Sequence, residues 1–264
     1  MPYAANGNIR IYYEIEEGDW PPLVFIHGWT ANMNFWREQR RHFSNRMLFI
    51  DSRGHGRSDK PADKKYYEFE NFVSDVECVI EDAGLERFVL IGHSFGTMIS
   101  MKYCVEYPEK VLALILIGGG ARIRTFHKYG YPLAKIIARI AYIPSSRIVA
   151  NMSFGKNAGD LKEWGWMEAM KHTPQHSALN VYRTLTKIDL RKDASRIDKP
   201  TLLIVGESDA MLPVSKSAEL NRIIRDSKLV VIPDAGHCVM LERPDDVNEA
   251  IDSFLSTVKF KFSF

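Results

Sequence analysis

The 264-residue chain is short of most features that would assign it to a specialised class. Its three cysteines, Cys78, Cys104 and Cys238, are an odd number without metal-like spacing, which argues against a disulfide framework or a zinc knuckle and points to a reducing compartment. No apolar run approaches the roughly 20 residues of a membrane span. The opening stretch MPYAANGNIRIYYEIEEGDW lacks the basic-then-apolar order of a secretion signal. From these absences we expect a cytoplasmic protein with no membrane partner. Neither sign of charge is in excess: 35 Lys and Arg meet 33 Asp and Glu for a formal +2, giving no reason to expect nucleic acid. Repeats and low-complexity tracts are absent too. His172 and His176 stand four apart, but Pro174 lies between them and no third ligand is evident, so no metal is expected. The glycines of IGGGARI follow a strand-like run, yet the third glycine of a dinucleotide fingerprint falls on Ile123, so no cofactor is expected either.

What remains is an ordinary globular composition, 45% hydrophobic and 26% charged, arranged in a telling pattern. Residues 7–20 alternate apolar and polar as a half-exposed strand does, after a turn at Asn6-Gly7. Short continuous apolar runs follow at 23–26, 47–50, 88–91, 111–117, 201–205 and 229–232, as suits strands covered on both faces of a parallel sheet. Between two of them Phe72, Val76, Val79, Ile80 and Ala83 share one face of a helix stopped by Gly84. Strands alternating with helices predict an α/β fold with a mostly parallel central sheet flanked by helices. The stretch from Ile117 to Thr201 is too long for a simple crossover and carries helical patterns of its own, such as Leu133, Ile136, Ile137 and Ile140 before Pro144. It reads as an inserted helical cap over 121–188, with the core formed by 1–120 and 189–264. The C-terminal KFKFSF reads as an edge strand, a packed tail or a contact patch.

One strand runs straight into Gly92-His93-Ser94-Phe95-Gly96 and then into a helix-like pattern. A serine at so sharp a turn has its hydroxyl lifted clear of the backbone, with small neighbours letting the turn close. The first amides of the following helix, and its dipole, favour an oxyanion there. A serine hydroxyl is a weak nucleophile and needs a histidine base and a carboxylate to orient it. His237 stands just after the last apolar run, and Glu207 and Asp209 stand after the preceding one, both in loops at the ends of parallel strands. The adjacent His93, together with His27 and His55 in glycine-bounded loops, reads as structural. Asp51 and Arg53 read as pins for their loop, and Cys238 as a small apolar filler.

Taken together, FIHGW at 25–29, DSRGHGRS at 51–58, GHSFG at 92–96, and GESDAMLP with AGHCVMLERP near the end resemble the α/β-hydrolase fold serine hydrolases. The resemblance covers nearly the whole chain outside the cap. It implies Ser94 as nucleophile, His237 as base and Asp209 rather than Glu207 as acid, with the Trp29 and Phe95 amides as oxyanion donors. Thr97 departs from a glycine found there in many relatives, without touching the chemistry. The implied activity is carboxylesterase-type acyl transfer on esters of small to medium acyl chains; acyl-CoA thioesters, lactones, carbon–carbon cleavage, perhydrolysis and ligand binding with little turnover stay open. Relatives that open epoxides or remove halogens use an aspartate nucleophile, which Ser94 argues against.

Two expectations concern the substrate. Trp164, Trp166, Met167 and Met170 give the cap an apolar surface suited to roofing an acyl pocket. From 121 to 188 eleven basic residues, among them Arg122 and Arg124, face three acids, so the cap is near +8 and, with +2 overall, the rest near −6. Such asymmetry can steer an anionic substrate resembling a coenzyme A thioester. Nothing in the sequence sets the oligomeric state, a dimer included.

Overall fold

The computed structural model describes residues 2–123 and 130–258. Arg124 and the KFKFSF tail lie outside the described residues. Eight strands form one sheet: β1 (Tyr3–Asn6), β2 (Ile9–Glu16), β3 (Asp19–Ile26), β4 (Asn45–Ile50), β5 (Phe88–His93), β6 (Val111–Ile117), β7 (Thr201–Gly206) and β8 (Ser227–Ile232). Their spatial order is β1-β2-β4-β3-β5-β6-β7-β8. The two pairings made by β2 are antiparallel, and every other pairing is parallel. The β1–β2 hairpin turns at Gly7, whose φ of +60° suits a residue without Cβ.

The continuous apolar runs have a simple cause. Along β5, Phe88 and Leu90 enter one core while Val89 and Ile91 enter a second on the opposite face. Strands β3, β4 and β6 divide in the same way: Val24, Leu48 and Leu114 go to the first core and Phe25, Phe49 and Ile115 to the second. Every residue of β5 and β6, and residues 21–26 of β3 and 47–50 of β4, are therefore buried, as a period-two side-chain alternation between two covered faces requires.

The described α-helices are α1 (Arg37–His42), α2 (Phe69–Asp82), α3 (Phe95–Glu106), α4 (Gly130–Met152), α5 (Leu161–His172), α6 (Gln175–Leu185), α7 (Arg191–Ala194), α8 (Val214–Ile223), α9 (Val239–Glu242) and α10 (Pro244–Thr257), with short 3-10 turns at Met33–Trp36 and Lys64–Tyr67. Phe72, Val76, Val79 and Ile80 of α2 and Met98 and Ile99 of α3 fill the first core, while Val247, Ile251 and Phe254 of α10 fill the second. Gly84 ends α2 with φ +61°, the left-handed conformation that commonly closes a helix.

Between β6 and β7 the chain leaves the sheet to form α4, α5 and α6. Its ties to the remainder are specific. The Trp29 Nε1–H donates to the Ala178 carbonyl at 2.8 Å, Tyr67 and Ser177 share a hydroxyl hydrogen bond of 2.8 Å, and Arg183 pairs with Glu68 at 2.9 Å. Helix α4 is broken at Ala141 (φ −145°, ψ 52°), three residues before Pro144.

Candidate active site

Ser94 sits between β5 and α3 at φ 52°, ψ −113°, a conformation costly for a residue with a Cβ. The surroundings enforce it. The Ser94 amide donates to the Ile117 carbonyl at 2.9 Å, and its own carbonyl accepts from the Thr97 amide at 3.0 Å and the Thr97 hydroxyl at 2.6 Å. Flanking glycines are sterically obligatory: a Cβ on Gly96 would lie 2.2 Å from the Ile26 carbonyl oxygen, and one on Gly92 would lie 2.5 Å from that of Gly96. The turn can close only because both are bare. Phe95, the first residue of α3, belongs to the helix turn whose amides have no intrahelical acceptor.

His237 and Asp209 meet across the ends of β7 and β8. The His237 Nδ1 stands 2.7 Å from Asp209 Oδ2, with Asp209 fully buried at its side chain. The other Asp209 oxygen accepts from the Met211 and Leu212 amides at 2.9 and 2.7 Å. A carboxylate satisfied in this way holds an Nδ1–H tautomer, leaving Nε2 free to take a proton. Glu207 is exposed.

Three buried histidines frame the loops around this pair. His27 Nδ1–H donates to the Gly28 carbonyl at 2.7 Å, and its Nε2 accepts from the Ser52 amide at 3.0 Å. His55 has the same arrangement, donating to the Arg53 carbonyl at 3.0 Å and accepting from the Thr30 amide at 3.1 Å. Each ring is thereby held neutral, and burial pushes His27 down to about 4 and His55 to about 3. Together they tie the loop after β3, which carries Trp29, to the loop after β4. That second loop is pinned further by Asp51, which accepts from the Met33 and Arg57 amides at 2.9 and 2.8 Å, and by the buried, bidentate Arg53–Asp75 pair at 2.5 Å.

His93 does more than fill space beneath the turn. Its Nε2–H donates to the carbonyl of His237 at 3.0 Å, and the two rings lie 4.8 Å apart. Its Nδ1 is buried without a hydrogen-bond partner, and burial, reinforced by the neighbouring His237, holds it well below the ordinary histidine value. A backbone tie to His237 is invisible to a reading based on side-chain type alone.

These groups open onto a cavity of about 370 Å³ lined by Ser94, His93 and His237, by Trp29 and Phe35 from the core, and by Tyr142, Val149, Phe154, Trp166, Met170 and Leu179 from the segment between β6 and β7. The lining is predominantly apolar, and among the described residues no Lys, Arg, Asp or Glu contributes to it.

The family model described as alpha/beta hydrolase fold matches residues 21–141 and 156–244. The chain belongs to this family. The hydrolase is 28% identical to the AB hydrolase superfamily protein YisY of Bacillus subtilis over 88% of its own length and 91% of that protein's. It is 25% identical to Epoxide hydrolase 1 of Caenorhabditis elegans over 96% and 70%. Among solved structures it superposes on Est816, described as an N-acyl homoserine lactone degrading enzyme, with a TM-score of 0.85 and 27% identity over 96% of its own chain and all of the other. An esterase from Exiguobacterium antarcticum gives 0.88 and 25%, over 96% and 98%.

Within the hydrolase, Ser94, His237, Trp29 and Trp166 all line the cavity, and Asp209 stands behind His237. Trp164 and Met167 do not line it. Trp164 packs against Phe35 at 5.1 Å between ring centres with the Arg37 guanidinium 4.2 Å over its face, and Met167 is exposed. Both follow from helix geometry: on α5 they flank Trp166 in sequence, so they point elsewhere around the axis. Arg122 lies 4.0 Å from Asp189 and outside the cavity lining. Tyr142, Val149, Phe154 and Leu179 were missed, because an aromatic or aliphatic residue carries no mark of which neighbour it will face. Glu242 was missed as well. It accepts from the buried Gly155 and Gly236 amides at 2.8 and 3.1 Å, joining the segment after α4 to the residue before His237.

Proposed function

We propose that the protein hydrolyses uncharged carboxylic esters of small to medium acyl chains through an acyl-enzyme intermediate. The observation that carries this reading is a strained serine beside a carboxylate-oriented histidine in one apolar cavity. In the first step Ser94 Oγ attacks the ester carbonyl while His237 Nε2 takes the hydroxyl proton. Oxygen charge develops where the Trp29 and Phe95 amides can donate to it, which lowers the barrier in a largely apolar site. The alcohol leaves with the proton returned by His237, and water repeats the sequence to release the acid. Asp209 keeps the imidazole in the required tautomer and stabilises the imidazolium.

Relatives include proteins named epoxide hydrolases, yet a serine occupies the elbow here, which favours acyl chemistry. Among the described residues neither lysine nor arginine lines the cavity, which favours an uncharged ester over an anionic thioester. A cavity of about 370 Å³ favours short chains over long ones.

An activated aryl acetate tests the proposal. A burst of phenol stoichiometric with enzyme is expected, and Ser94→Ala should lower turnover by about 10⁴ to 10⁶. Near-wild-type turnover in that variant would refute the mechanism. In a panel of acyl esters, lactones and acyl thioesters, short neutral esters should rank first; faster cleavage of coenzyme A thioesters would reassign the substrate.

A further inference from the structure

The first half of α4 carries Leu133, Ile136, Ile137 and Ile140, the spacing of a single apolar stripe on a helix. In a globular protein such a stripe is buried. Here it faces solvent: Leu133 is 55% exposed, Ile136 57% and Ile140 80%. Past the break at Ala141, Ile143 and Ile148 continue the exposed apolar surface. Contiguous exposure of this kind marks a surface that meets something apolar.

Charge identifies the partner. From Ala121 to Gly159 the sequence has seven Lys and Arg residues and no Asp or Glu. Exposed isoleucine on a basic segment fits the surface of a bilayer carrying anionic lipid, where apolar side chains enter the acyl boundary and cations meet the headgroups. A second copy docking through the same face would set like charges against each other.

The stripe also reaches the active site. Ile137 and Met152 are both exposed, at 41% and 45%, and both line the cavity that holds Ser94. We propose that α4 is a peripheral membrane-docking face that rests the mouth of the cavity on an anionic lipid surface, so that apolar substrate enters from the bilayer. Among the described residues no helix is long and apolar enough to cross a membrane, and lying on one asks only for an apolar face. This proposal runs counter to the expectation of no membrane partner, and the experiment below decides between them.

Flotation of the full chain with lipid vesicles tests the proposal. Binding is expected to vesicles of phosphatidylcholine with about a third phosphatidylglycerol, and should weaken as salt rises to roughly 0.5 M. Ile136→Ser combined with Ile140→Ser should cut the bound fraction about tenfold. Neither residue lines the cavity, so hydrolysis of a soluble aryl ester by the double variant should be unchanged, which also reports that it folds. Three results would overturn the proposal. The first is no binding to anionic vesicles beyond that to phosphatidylcholine alone. The second is full binding by the double variant. The third is a wild-type dimer, by light scattering, that the same substitutions convert to monomer.

Discussion

At the scale of single residues, the elbow depends on what is missing from Gly96 as much as on what Ser94 offers. Because a Cβ there would meet backbone rather than a movable side chain, Gly96→Ala is expected to destabilise the fold by about 3 kcal/mol or more and to abolish activity. Thermal unfolding of the variant checks this. Asp209→Asn keeps the shape but can present an amide N–H to His237 Nδ1, favouring the wrong tautomer; kcat should fall about 10⁴-fold with little change in melting temperature. The sequence made these residues legible because each chemistry has few residue types and each sits where a strand ends. Trp164 and Met167 were misplaced for the opposite reason: apolar side chains serve packing and substrate equally well, and only the helix axis decides which.

At the scale of elements, strands were easier to read than their covering. Continuous apolar runs exposed the parallel sheet because two buried faces leave no polar alternation, and the observed strands extend those runs by a few residues at most on either side, except β3, which begins at Asp19. Helix α4 was legible as a helix, but amphipathic spacing does not state what its apolar face meets. The tie between the inserted helices and the loop that carries His237 was not legible, since Glu242 and Gly155 lie 87 positions apart. Glu242→Ala would leave two buried amides unpaired, an expected cost of about 2 kcal/mol or more. Turnover should fall with it because Gly236 adjoins His237. Glu242→Gln retains an acceptor oxygen and should recover much of both losses; denaturant midpoints and kcat of the two variants measure this.

At the scale of the molecule, the buried neutral histidines set an acid limit. A histidine whose folded pKa is depressed binds fewer protons in the native state than when unfolded, so its stabilising effect is complete above about 6.5 and is lost as pH falls. The loss continues to about 4 for His27 and about 3 for His55. At pH 5 these two together should cost about 4 kcal/mol, against a usual total of about 5 to 15. His93 acts in the same direction. The urea midpoint should therefore fall clearly between pH 7 and 5, and a constant midpoint would show that these rings are not held neutral. Hydrolysis should be lost irreversibly only where unfolding itself is.

The strand order carries a consequence for how the chain reaches this state. Strand β3 lies between β4 and β5, and the site draws on the ends of β3, β5, β7 and β8, from Trp29 to His237. Local pairing of neighbours cannot assemble it. Contacts so remote in sequence form slowly, after long loops have closed. During refolding, helical signal should return well before hydrolysis, and on the ribosome Ser94 is made before the last two strands, whose ends carry Asp209 and His237. Catalysis thus reports completion of the sheet, and an early intermediate with native-like helices remains chemically silent.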